Sequence, residues 1–202
     1  MGLAPYQYGY GQIISTDVAG VTADRGFIAN LAWTALEAAA ASATAVHAAI
    51  TGSAEAVTTV TTGITNPPCA RSLTVTPGGT TDDVAACDIT ITGTNINGET
   101  ISETFAFLAN ATGATAGAKA FKTVTSISIP IQDGAAATFS VGTGQLIGLP
   151  YMLTKKRVLV TLNDGAVDTA PALAISASAL ESNTVDFNGS LDGSVMDMSI
   201  IV

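Results

Sequence analysis

Residues 69–133 alternate apolar and hydroxyl-bearing side chains, and this pattern constrains the fold more than any other feature of the sequence. Leu73 and Val75 alternate with threonines, and Ile89 and Ile91 repeat the arrangement further along the chain. Because successive side chains of a strand point to opposite faces of a sheet, this alternation predicts half-buried antiparallel strands. The fold class we expect is mainly β, with an antiparallel β-sandwich or barrel-like body.

Turn-forming residues separate the strand patterns. Asn97 and Gly98, and the Asn-Asp-Gly run at residues 163–165, predict tight hairpins between flanking strands. Pro77 and the two glycines after it predict another turn. Residues 138–141 predict a short strand, and the Gly-rich residues 142–150 predict a turn. That last segment lacks the Lys-Ser/Thr ending of a phosphate-binding loop.

The chain divides into an N-terminal part, residues 1–42, and a β-rich body, residues 43–202. No period of 3.6 or 2.0 persists through the first twenty residues, which is typical of an extended arm. Asp24 can cap a helix, and the alanines that follow favour one. We therefore expect a short Ala-rich helix or an irregular linker within residues 24–42.

Aromatic side chains are concentrated in this N-terminal part. Three tyrosines within five residues offer large, rigid contact areas, so we expect the arm to dock on a neighbouring subunit. The alternative is a terminus without a docking partner. The interface residues predicted from the sequence are Tyr6, Tyr8, Tyr10, Phe27 and Trp33.

The composition is poor in charge. Charged residues make up 11% of the chain, about half of the usual share. One interpretation is that much of the surface lies against other subunits, and the other is a neutral, Thr/Ser-rich β surface. The net charge of −9, with seven basic residues, argues against partners such as nucleic acid and anionic membranes.

No residue pattern predicts catalysis. His47 is the single histidine, so neither a zinc site nor a serine nucleophile with an imidazole base is indicated. Cys69 and Cys87 are too few for a disulfide framework; they either pair or remain buried thiols. Carboxylates cluster at Asp82 and Asp83, but without calcium-loop spacing. We expect no enzyme activity, no catalytic or metal-ligating residues and no cofactor.

Several phrases of the body are similar to those of a known family. They are Thr-Thr-Gly-Ile-Thr-Asn-Pro at residues 61–67, the run at residues 88–99, Lys-Ala-Phe-Lys-Thr-Val-Thr-Ser-Ile at residues 119–127, and residues 179–188, with Gly-Leu-Pro-Tyr at residues 148–151. Together they resemble capsid decoration (auxiliary or cement) proteins of tailed bacteriophages. The resemblance covers roughly residues 43–202 and consists of strand and turn phrases.

The resemblance implies a β-rich body, often a homotrimer, on the outer surface of the phage head. Its partners would be itself and the major capsid protein, and its place would be the virion, assembled in the host cytoplasm. The first residues lack the basic start and apolar core of a signal peptide, which fits that location. The alternatives are a tail-tube or head-fibre component, and a host-surface or carbohydrate-binding module.

Overall fold

The computed structural model describes residues 13–15, 18–20, 22–24, 26–169 and 171–202. Tyr6, Tyr8 and Tyr10 lie outside the described residues. Every strand pairing within the described part is antiparallel. The predicted mainly β class, with a body of the sandwich or barrel-like kind, is confirmed.

The described residues form sixteen strands and two 3-10 helices. The first eight strands are β1 (Ile13–Ser15), β2 (Thr22–Asp24), β3 (Ile28–Trp33), β4 (Ser42–Thr51), β5 (Thr58–Val60), β6 (Arg71–Gly79), β7 (Cys87–Thr94) and β8 (Thr100–Phe107). The others are β9 (Thr115–Ala116), β10 (Thr123–Ile129), β11 (Ala137–Gly148), β12 (Val158–Asn163), β13 (Ala166–Asp168), β14 (Ala172–Ala174), β15 (Thr184–Asp186) and β16 (Met196–Ile201). The 3-10 helices are Thr81–Asp83 and Leu180–Ser182.

Three sheets make up the body. The hydroxyl sheet has the strand order β5-β10-β7-β8. The central sheet has the order β14-β15-β11-β6-β9, and β4 also pairs with β11. The terminal sheet has the order β13-β12-β16-β3, and β1 and β2 form a separate two-stranded sheet.

The first hydrophobic core is formed mainly by the hydroxyl sheet and the central sheet. Ile91, Phe105 and Ile127 come from the hydroxyl sheet, and Val75 and Phe139 come from the central sheet; all five are buried. They lie on the apolar side of the period-two pattern, so burial of that side accounts for the alternation seen in the sequence.

A second core is formed mainly by the other end of the central sheet and the terminal sheet. Ile147 and Val185 of the central sheet join Met198 of the terminal sheet. Trp33 and Phe187 meet edge to face in this core, with ring centroids 5.6 Å apart. Strand β16 is therefore paired on both sides and packed against this core.

Strand β11 passes through both cores, and this corrects the turn predicted at residues 142–150. Residues 142–148 continue the strand. Gly142 packs directly against β4, because a Cβ at this position would overlap the carbonyl oxygen of Ser42. Such a glycine allows neighbouring strands to approach closely, a role that a sequence pattern does not distinguish from a turn.

The turn predicted at Pro77 is also wrong, because β6 continues to Gly79. Pro77 pairs with Phe139 of β11 on one side. On the other side β9 pairs only with Thr74 and Val75. Proline is tolerated in a strand where one side of the backbone has no ladder to complete.

Both predicted hairpins are confirmed. Residues 95–99 connect β7 and β8, with Gly98 at a φ of 83°. Asp164 and Gly165 connect β12 and β13, with φ values of 46° and 80°. Two consecutive positive φ values are the requirement of a type I′ turn, whose twist matches that of the strands.

The Ala-rich helix expected within residues 24–42 does not form in the described residues 26–42. Ile28–Trp33 is instead strand β3, which pairs along its whole length with β16. A single turn follows, in which the Ala38 amide donates to the Thr34 carbonyl at 2.9 Å. Pairing with a strand from the far end of the chain outweighs the helix preference of alanine. Residues 28–33 therefore pack as part of the β body.

Candidate functional site

One side of the terminal sheet faces away from the second core. Met198 points into that core, so its neighbours along β16, and the residues paired with those neighbours, point outward. We call this outward surface the apolar face; its apolar members are Ile28, Ala32, Val160, Leu162, Val167 and Ile201.

The apolar face remains open in the described structure. Val167 is 70% exposed and Ile28 is 64% exposed. Asp197 is the one charged side chain in the registered rows of this face. The Ser199 hydroxyl donates a 2.6 Å hydrogen bond to Oδ1 of Asn30. A surface of this composition is typical of a protein interface.

The outward side of the hydroxyl sheet has a different character, and we call it the hydroxyl face. Its registered rows carry hydroxyl groups: Thr59, Thr90, Thr92, Thr94, Thr100, Ser102, Thr104, Thr123, Ser126 and Ser128. Thr94 and Thr123 are hydrogen-bonded through their hydroxyls at 2.7 Å. Asp88, paired with Ala106 near one edge, is the charged residue of these rows.

The predicted interface residues have different positions. Phe27 is 49% exposed, and its backbone exchanges two 2.9 Å hydrogen bonds with Val202. Trp33 is 7% exposed because it packs in the second core. Trp33 is thus a core residue of this chain, whereas about half of Phe27 lies at the surface.

Several loop carboxylates, including Asp83 of the pair singled out in the sequence, hold loops in place. Asp83 accepts a 2.9 Å hydrogen bond from the Ala136 amide, and Glu99 accepts one of 2.8 Å from Asn95. Hydrogen bonds from Ser194 lower the pKa of Asp192. Among the described residues no group of three His, Cys, Asp or Glu side chains is arranged to hold a metal. The Nδ1 atom of His47 lies 2.6 Å from the Ala48 carbonyl oxygen.

Both cysteines are free thiols in the structure. Cys69 is buried and its Sγ contacts the Glu37 carbonyl oxygen at 3.5 Å, whereas Cys87 is half-buried. Burial raises the pKa of the Cys69 thiol to about 11, although Arg71 and Lys122 oppose that change. A thiol with a raised pKa is mostly protonated at neutral pH and is therefore a poor nucleophile.

Sequence reasoning missed two features. The first is Arg71, which lies on the buried side of β6; the alternation that buries Leu73 and Val75 already placed it there. The second is the apolar face, whose signal was the run of three apolar residues at 158–160.

Within the described ranges 26–169 and 171–202, no helix has the length and apolar character needed to cross a bilayer. Comparisons of the chain with protein-family models, with curated proteins and with solved structures give no match.

Proposed function

We propose that the chain is a structural virion protein that decorates the outer surface of a tailed-phage head. In this proposal it associates with copies of itself, as a homotrimer, and stabilises contacts between major capsid subunits. The observation that carries the proposal is the open apolar face of the terminal sheet. The phage assignment itself comes from the strand and turn phrases of residues 43–202.

The apolar face is the surface that we assign to self-association. Obligate homomeric interfaces resemble a protein core cut in half and are more apolar than the interfaces of transient complexes. Val160, Val167 and Ile28 are exposed and lie among few polar groups. Their burial removes apolar surface from water, at roughly 25 cal/mol for each Å². The occupant that we assign to this face is a second copy of the chain.

The hydroxyl face is the surface that we assign to the capsid shell. In this proposal the contact with the shell joins two separately folded proteins, and such docking interfaces are more polar than obligate ones. Rows of threonine and serine supply hydrogen-bonding groups without a large desolvation penalty for charge.

A pair of matched double variants separates the two surfaces. Val160→Lys with Val167→Lys places two charges on the apolar face, and Thr92→Lys with Thr104→Lys places two on the hydroxyl face. In both pairs the positions are diagonal neighbours on adjacent antiparallel strands, so the effect on sheet stability is comparable. We expect the first variant to be a folded monomer, and the second to remain a trimer that no longer binds heads of its own phage.

The proposal fails if the apolar-face variant keeps the mass of the parent and still saturates phage heads. A large ring in place of a trimer would favour the tail-tube alternative. For tests of the N-terminal arm the deletion must end before β3, since removal of residues 1–30 would cut into a paired strand. Deletion of residues 1–25 keeps Ile28–Trp33 intact, and we expect it to preserve the fold and abolish attachment to heads.

A further inference from the structure

A pocket of about 340 Å³ lies where β4, the turn after β3 and the loop before β6 meet. Its wall is mainly apolar and includes Leu36, Ala39, Ala45 and Pro67. Leu36 and Ala45 are exposed, so the pocket opens to the surface. A volume of this size is within the range of sites that hold small organic molecules.

Arg71 forms part of the wall of this pocket, although its residue is only 1% exposed. Its Nε donates a 2.6 Å hydrogen bond to the carbonyl oxygen of Gly144. Its Nη2 is buried and has no hydrogen-bond acceptor within the described part of the chain. Arg71 forms no ion pair with a carboxylate of the described residues.

Glu37 is a carboxylate of the turn after β3, and its side chain is already hydrogen-bonded within that turn. Glu37 lies close enough to influence the Cys69 thiol beside Arg71. Its Oε2 atom accepts hydrogen bonds from the amide and hydroxyl of Thr34, at 3.0 and 2.9 Å, and so closes the turn after β3. Burial lowers the pKa of Arg71, which is the direction expected of a cation that has lost water without gaining an anion.

A second cation lies near the same wall. Lys122 donates a 3.3 Å hydrogen bond to the carbonyl of Pro68, which also lines the pocket. The chain has seven basic residues and a net charge of −9, so two cations beside one pocket reverse the local sign of charge. A buried charge without a partner destabilises a protein because nothing compensates for its lost hydration. An anion that enters the pocket would provide such a partner for Arg71.

We propose that this pocket binds a carboxylate group carried on a short apolar body. The carboxylate accepts hydrogen bonds from the unpartnered Nη2 of Arg71, and the apolar body lies against Ala39, Ala45 and Pro67. Carboxylate and guanidinium form short, charge-assisted bonds that also orient the ligand. The carboxylate comes either from a free small molecule or from a peptide carboxylate of another copy of the chain.

The test uses the full chain and titrates it with hexanoate, followed by ¹H–¹⁵N NMR. We expect saturable shifts confined to residues 36–45, 65–71 and 143–144, and binding of the neutral isostere hexanamide roughly tenfold weaker. Ala45→Phe fills the pocket from an exposed strand position and abolishes the shifts. Ala49→Phe, an exposed position of β4 outside the pocket wall, leaves them unchanged.

Arg71→Met removes the charge and is expected to abolish hexanoate binding while retaining any weak hexanamide binding. Because Arg71 also holds Gly144, this variant could fail to fold, and the Ala45→Phe and Ala49→Phe pair then decides the question. Absence of hexanoate shifts up to about 10 mM, or equal binding of hexanoate and hexanamide, overturns the proposal.

The mass of the Ala45→Phe variant identifies the source of the carboxylate. If the variant has a smaller assembly than the parent, and hexanoate dissociates the parent, another copy supplies the group. If the mass is unchanged while hexanoate binding is lost, the ligand is a free small molecule. Either outcome upholds the carboxylate pocket, and neither depends on whether the chain decorates a phage head.

Discussion

Replacement of Asn183 should remove more stability than its small size suggests. Asn183 is fully buried, and its Oδ1 accepts 2.9 Å hydrogen bonds from the amides of Leu153 and Ser176. Its Nδ2 donates 2.9 Å bonds to the carbonyls of Ser176 and Ala179. The side chain thus connects two loops beside the second core. At a net value of about 1 kcal/mol for each bond, Asn183→Ala should lower the free energy of unfolding by about 4 kcal/mol.

The measurement is urea denaturation at fixed protein concentration, followed by the fluorescence of Trp33, the single tryptophan, which is buried in the second core. A fixed concentration is needed because association contributes to the apparent stability. Asn183→Asp keeps the shape but turns an oxygen toward two carbonyls, so it should be at least as damaging at neutral pH. The exposed Asn188→Ala is the control, expected within about 0.5 kcal/mol of the parent. A loss below about 1 kcal/mol for Asn183→Ala would show that these four hydrogen bonds do not stabilise the fold.

Three other positions give sharp expectations. Burial raises the pKa of Glu103, whose Oε2 has no partner among the described residues. The stability of the parent should therefore fall as pH rises from the unfolded pKa near 4.5 through the higher folded pKa. Glu103→Gln should remove that dependence on pH. If the stability of the parent and of the variant changed by the same amount between pH 4 and 7, the prediction would be wrong. Gly142→Ala should lose about 1–3 kcal/mol in urea through overlap with Ser42, and an unchanged midpoint would exclude that contact. Gly165→Ala should lower the free energy of unfolding by about 1 kcal/mol, because φ at Gly165 is 80°. Gly113→Ala, where a Cβ meets no neighbouring atom, is the control and should leave stability unchanged.

The strands and hairpins could be predicted because their signals are local. Alternation at Leu73 and Val75 reports which side of β6 is buried, whatever the sheet packs against. The turn at Asp164 and Gly165 needs positive φ values, and the residue types that supply them are few. These local patterns can be interpreted without knowing which other strands lie beside them.

The remaining features depend on contacts between distant parts of the chain. Ile28–Trp33 is a strand only because β16 lies beside it, and no local feature of the alanines that follow indicates this. Gly142 looks like a turn residue until β4 is placed against it. The burial of Arg71 could be read from its position in β6, but its contact with Gly144 and its missing anion could not.

The apolar face could not be predicted from local sequence either. Val158, Leu159 and Val160 are consecutive apolar residues, so alternation does not say which of them point outward. A register shift between Val158 and Val160 decides it: Val158 packs against the second core, and Val160 points away. The surface that carries the functional proposal therefore emerges only from the register of the folded sheet.

The proposed function depends on self-association through the apolar face, and the mass of the particle in solution, measured by light scattering, decides whether that association occurs. The parent and the Val160→Lys, Val167→Lys double variant would be compared at the same concentrations, with circular dichroism as the check that both are folded. We expect three times the 20.2 kDa chain mass for the parent and the single-chain mass for the variant. A parent that stays a monomer at every concentration, or a variant that keeps the mass of the parent, would contradict this expectation.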